Sequence, residues 1–204
     1  MHFSVDDGIV VVVVKRSTQN VAAAPRLMTV DEYFNTPETL KPAELAFGVL
    51  RAAESPSPRH QSAVGDFFLA LDAHVRALQL GRMWLSPLDV VLDEKKALVV
   101  QPDLMFISND RDWIVRDRVR GAPDLVVEVL SPHPRIGQTE ERVGWFAEYG
   151  VRECWLIHQD RREVSVIGFT DGRVGQRRLF HAHDPIASDV LPEFSHSLND
   201  VLGV

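Results

Sequence analysis

Two hydrophobic periods alternate along the chain, and the switches between them predict its elements. Val64, Phe67, Phe68, Leu71, Val75 and Leu78 recur at helical spacing, and Gly81 ends that helix. Thr29 and Glu32 form a capping box before Tyr33 and Phe34, which predicts a short helix over 29–34. A third helix is predicted over 139–149, closed by Gly150. Short apolar, β-branched runs between turn residues predict strands over 44–52, 82–85, 89–92, 98–107, 125–130, 153–157, 163–169 and 173–180. Gly48 marks a bulge or bend in the first of these, and Asp171 with Gly172 a hairpin between the last two. Residues 108–120 form a charged connection with a short helix expected over 113–119, and a terminal helical turn is expected over 197–202. Strand 125–130, helix 139–149 and strand 153–157 make a βαβ unit, so those two strands should be parallel. The order as a whole predicts an α/β or α+β fold with a mixed sheet, taken here as α/β with a mixed central sheet flanked by helices.

Composition narrows this picture. The 204 residues suit one domain with a sizeable core, and a net charge of −7 argues against a surface that binds nucleic acid all over. Cys154, the lone cysteine, lies in an apolar strand and reads as a small buried hydrophobe, which fits a reducing cytoplasm. No stretch approaches the roughly 20 apolar residues of a membrane span. The first 27 residues carry a short run, Ile9 to Val14, followed by Lys15 and Arg16. Those flanks are wrong for a signal peptide. The run reads either as an extra edge strand or as an over-extended start before Met28.

The chemistry centres on residues 121–131. The buried run Leu125–Leu130 carries Glu128 in its middle and Asp124 at its mouth. A carboxylate inside a buried strand costs several kcal/mol, of order 3 or more, unless something pairs with it, so a metal ion or another cation sits nearby, or Glu128 is protonated or at the sheet edge. Asp103 likewise follows a proline at the start of an apolar run. If the two strands pair, Asp103 and Glu128 converge and repel. A hard divalent cation, Mg²⁺ or Mn²⁺, relieves that repulsion, with the Val129 carbonyl as a further ligand. Asp124 also reads as strand-end punctuation.

The strings Met28–Tyr33, Ser57–Gln61, Val100–Leu104, Gly121–Pro132 and Tyr149–Ile157 together resemble the Uma-two family of restriction-endonuclease-like proteins, within the PD-(D/E)XK nuclease superfamily. The resemblance covers residues 28–204. It implies a restriction-endonuclease-like core, DNA as substrate class and a divalent metal, with homodimerisation by analogy. By motif, Asp103 and Glu128 take the two metal-binding acidic positions, Glu44 a further acidic position and His60 a position near the site. Several residues depart from the pattern. Leu130 stands where the wider superfamily has lysine. In the variant where that lysine moves to the next helix, Arg142 stands at the lysine position and Gln138 at the aspartate position. Phe47 and Val49 replace acidic residues.

Arginine can bind phosphate bidentately or neutralise the carboxylates, but it stays protonated and cannot act as a base. Two readings follow. In the first, the chain is a metal-dependent DNA endonuclease using Asp103, Glu128, Arg142, Glu44 and His60. In the second, it is a nuclease-fold protein that has lost the chemistry and serves as a DNA- or protein-binding module. Arg111, Arg116, Arg118 and Arg120 are the expected DNA patch.

Overall fold

The computed structural model describes residues 26–37, 43–52, 55–130 and 139–203. The run Ile9 to Val14 and Gln138 lie outside the described residues. In chain order the elements are α1 (Val30–Phe34), β1 (Ala43–Ala46), β2 (Val49–Ala52), α2 (Pro58–Ala77), β3 (Gly81–Leu85), β4 (Val90–Asp93), β5 (Leu98–Val100) and β6 (Leu104–Ser108). There follow a 3-10 turn (Asn109–Ile114), β7 (Val119–Arg120), β8 (Leu125–Leu130), α3 (Thr139–Glu148), β9 (Glu153–His158), β10 (Glu163–Thr170), β11 (Arg173–His181) and α4 (Leu198–Leu202).

The strands form two mixed sheets rather than one central sheet. The first has the order β2-β1-β5-β4-β7 and the second β11-β10-β9-β8-β6-β3. As the βαβ pattern requires, β8 and β9 are parallel, with Glu128 opposite Leu156. Helices α2 and α4 cover the outer face of the larger sheet through Phe67, Leu71, Val75 and Leu198, against Leu104, Val127 and Trp155. Between the sheets, Ala46, Val90 and Val100 pack on Met105, Val126 and Cys154, and α3 closes this layer with Val143, Trp145 and Phe146. Helix α1 covers the other face of the smaller sheet through Val30 and Tyr33.

Two predicted strands are each broken into two, and both breaks matter for the site. The run 44–52 is a hairpin. Phe47 and Gly48 have φ of 51° and 80°, the left-handed pair of a primed turn. A side chain at Gly48 would also collide with Leu27 Cβ at 2.9 Å, so glycine is required there. The run 98–107 splits at Gln101, Pro102 and Asp103, and its halves belong to different sheets. Proline has no N–H to donate to a ladder, so pairing stops there. The helix expected over 113–119 is instead the 3-10 turn at Asn109–Ile114.

Candidate active site

The break at Pro102 creates the site. Strand β6 begins at Leu104, opposite Val127, so β8 runs three residues, Glu128 to Leu130, past its last pair with β6. The Val129 N–H, left without a ladder partner on that side, donates to Asp103 Oδ2 at 2.8 Å. The N–H and C=O of one strand residue point to the same neighbour, so the Val129 carbonyl faces the same open strand end.

Alternation decides where Glu128 points. Val126 and Leu130 belong to the inter-sheet layer, and Leu125, Val127 and Val129 pack on the other face. Glu128 therefore points between the sheets. Across that space, Ala46 faces the same layer, which places Glu44 of β1 on the same side. Arg142 of α3 lies between the two glutamates. Its Nη1 donates to Glu44 Oε2 at 2.5 Å and its Nη2 to Glu128 Oε1 at 2.6 Å. The Gln101 N–H holds the other Glu44 oxygen, Oε1, at 2.6 Å. His60, in the first turn of α2, brings Nε2 to 3.2 Å from Asp103 Oδ2.

The structure thus brings together all five side chains that the sequence singled out, from five separate segments. Their side chains are 3% (Glu44), 12% (Arg142), 14% (His60), 15% (Glu128) and 20% (Asp103) exposed, so water screens these charges poorly. Burial pushes the Glu128 carboxyl up to about 7 against the pull of Arg142, and the charges of Asp103 and Glu44 add to the rise. For Arg142, burial opposes the charge, but Glu128 and Glu44 outweigh it and keep the guanidinium protonated. Arg142 is accordingly a fixed cation in this geometry and no base. Truncating Arg142 to Ala leaves two buried carboxylates facing each other. The expected loss of stability is about 3–5 kcal/mol, read by denaturant melting.

Metal-ligating capacity here is that of a hard, oxygen-seeking ion. Among the described residues no three His, Cys, Asp or Glu side chains are grouped to hold a metal unaided. That arrangement does not suit a closed zinc site. Two carboxylates, Asp103 and Glu128, together with a carbonyl suit Mg²⁺ or Mn²⁺, which keep several waters. Glu128 Oε1 and Glu44 Oε2 are already taken by Arg142.

The other candidates are structural. Asp124 is fully buried and accepts from the Ser108 N–H at 2.9 Å, with Arg111 and Arg152 at 3.4 and 3.3 Å. Burial pushes the Cys154 thiol up, which leaves it inert. The expected DNA patch is largely neutralised from within. Arg111 pairs with Asp124, Arg118 with Asp89 and Asp117, and Arg120 with Asp117 and Glu94. Reversing the charge of Arg118 and Arg120 should therefore lower the melting temperature and leave the salt slope of DNA binding unchanged. A reduced slope would restore the patch. Two features went unread in the sequence. One is the Gln101 N–H behind Glu44, although the string 100–104 was singled out. The other is Glu153, a fully buried carboxylate that accepts from Trp155 Nε1 at 2.7 Å and the Asp189 N–H at 2.9 Å.

Fold and site together define a restriction-endonuclease-like protein. The chain belongs to the Uma2 family, described as "Putative restriction endonuclease", whose sequence pattern matches residues 30–199. A solved structure from Anabaena variabilis ATCC 29413, titled as a putative nuclease belonging to DUF820, superposes with a TM-score of 0.72 at 19% identity. That match covers 86% of this chain and 98% of the other, which shows a shared fold. No curated protein matches the chain. No helix among the described residues is long and apolar enough to cross a membrane.

Proposed function

We propose that this protein is a metal-dependent endonuclease that hydrolyses DNA phosphodiester bonds. The observation that carries this reading is the meeting of Asp103, Glu128 and the Val129 carbonyl at one open strand end, with Arg142 and His60 beside them. Asp103, Glu128 and the Val129 carbonyl would hold Mg²⁺ or Mn²⁺. When bound, such an ion supplies an acidified water and draws charge from a phosphoryl oxygen. The chain's own residues do the rest. Asp103 is fixed by the Val129 N–H and by His60, so its carboxylate is pre-oriented. Arg142 presents a planar fork of N–H donors, now turned to Glu44 and Glu128, that a phosphate can claim. Glu44, anchored by the Gln101 N–H, keeps Arg142 in place. No lysine stands in this group to activate the attacking water, and Arg142, held as a cation, cannot serve as its base.

The Arg142 bridge also favours a second reading, a permanently closed scaffold in which the guanidinium stands in for the metal. Arg142→Lys separates the two. If the protein is an enzyme, wild type cleaves DNA with Mg²⁺ or Mn²⁺, and Arg142→Lys at saturating metal is slower by about tenfold, because a bidentate phosphate contact is lost. If the scaffold reading holds, wild type is silent and only Arg142→Lys cleaves.

A further inference from the structure

The guanidinium to which the nuclease reading assigns the phosphate also occupies one oxygen of Glu128. We propose that the Arg142 bridge is an autoinhibitory contact: it keeps Glu128 from a divalent cation until an anionic phosphate draws the guanidinium away. The inference rests on the nuclease reading above and adds an order of binding to it.

Three observations support it. Arg142 Nη2 is 2.6 Å from Glu128 Oε1, and both groups are shielded from solvent. A dication placed on Glu128 would therefore lie close to a guanidinium, with little water to screen their repulsion. Secondly, Arg142 has another anchor. Glu44, only 3% exposed and held by the Gln101 N–H, keeps the guanidinium on its glutamate even if Glu128 turns away. Thirdly, Asp103 is not part of the bridge. Its Oδ2 accepts from Val129 and meets His60, so half of the metal-binding pair stays in place while Glu128 is masked. A phosphate oxygen pair competes for the same fork of N–H donors that Glu128 now uses. Phosphate and metal should accordingly favour each other's binding, each paying part of the cost of opening the bridge.

The test is Mn²⁺ binding, read by the loss of the free-ion spin-resonance signal and by titration calorimetry. Wild type, Arg142→Lys and Arg142→Gln are compared in chloride and in sulfate at equal ionic strength. Sulfate is the probe because it has the charge and shape of phosphate. The expected result is Mn²⁺ affinity at least about tenfold tighter in Arg142→Lys and Arg142→Gln than in wild type. Sulfate should tighten wild-type binding severalfold and leave Arg142→Gln unchanged. Should Arg142→Gln not fold, the sulfate effect on wild type and the Arg142→Lys comparison still decide the matter. Equal Mn²⁺ affinities in wild type and the Arg142 variants, with no response to sulfate, would overturn the inference and leave the nuclease reading standing. No Mn²⁺ binding by any variant under either condition would overturn both.

Discussion

Glu128→Ala is expected to lower metal-dependent DNA cleavage by about 10²–10³-fold while the fold survives. The magnitude is that of removing a group aimed at the charge that develops in the reaction. Glu128 supplies one of two carboxylates at the open end of β8, and Asp103 alone leaves a dication with a single charged ligand. Stability should fall less than the buried position suggests. Truncation removes a carboxylate whose burial is itself unfavourable, and Arg142 keeps Glu44 at 2.5 Å. Circular dichroism and melting of the variant check the fold, and plasmid nicking checks the activity. Cleavage that survives the substitution would place the chemistry elsewhere.

The second large effect is on stability and lies at the opposite end of the sheet. Glu153, at the start of β9, is fully buried and ties the C-terminal segment to the sheet through Trp155 Nε1, the Ser188 hydroxyl and the Asp189 N–H. Arg178 also approaches it at 3.5 Å. Glu153→Ala leaves Trp155 Nε1 a buried donor without an acceptor, which costs about 1–3 kcal/mol, and removes the acceptor of the Ser188 hydroxyl and the Asp189 N–H. Together with the cavity, the expected loss is about 3–5 kcal/mol, or roughly 10 °C in melting temperature for a chain of this size. Nicking per folded molecule should be unchanged, because Glu153 is opposite Leu125 while Glu128 is opposite Leu156. A shift of only one or two degrees, read by calorimetry, would mean that the C-terminal segment is held by its apolar contacts alone.

The two carboxylates differ in how visible they are in the sequence. Glu128 announces itself because it interrupts a run of Leu and Val residues. Glu153 stands at the head of its run, where an acid is unremarkable, and two of its donors come from residues 35 and 36 positions later in the chain. The parallel pairing of β8 with β9 was legible because a helical period separates two apolar runs. The division into two sheets was not. It depends on Pro102 ending one ladder, and the break Gln101-Pro102-Asp103 does not say which sheet each half joins. The inward direction of Arg142 could be read from its helical stripe with Phe146 and Tyr149. Its second partner, Glu44, is 98 residues away and on the other sheet, a distance over which no local pattern carries information. The ion pairs of the arginines in 111–120 were hidden for a related reason. Their acidic partners Asp89, Glu94 and Asp124 lie on either side of the segment, and only the fold brings them in.

Phe47 and Val49 show the same limit from the other side. Acids are expected at these positions by family resemblance, and here both are apolar. Phe47 meets Trp145 edge-on at 5.6 Å, so this side chain serves packing against α3 and leaves Glu44 as the acid of that hairpin. With fewer carboxylates around it, the site can be neutralised by one guanidinium, which is the state that the Arg142 bridge represents.

The most direct measurement is nicking of supercoiled plasmid by purified wild-type protein in Mg²⁺ and in Mn²⁺, with a chelator and with Glu128→Gln run alongside. The account predicts nicking by wild type with either ion, none with the chelator, and none by Glu128→Gln. Nicking that persists in Glu128→Gln, or the absence of nicking by wild type with either ion, would contradict it.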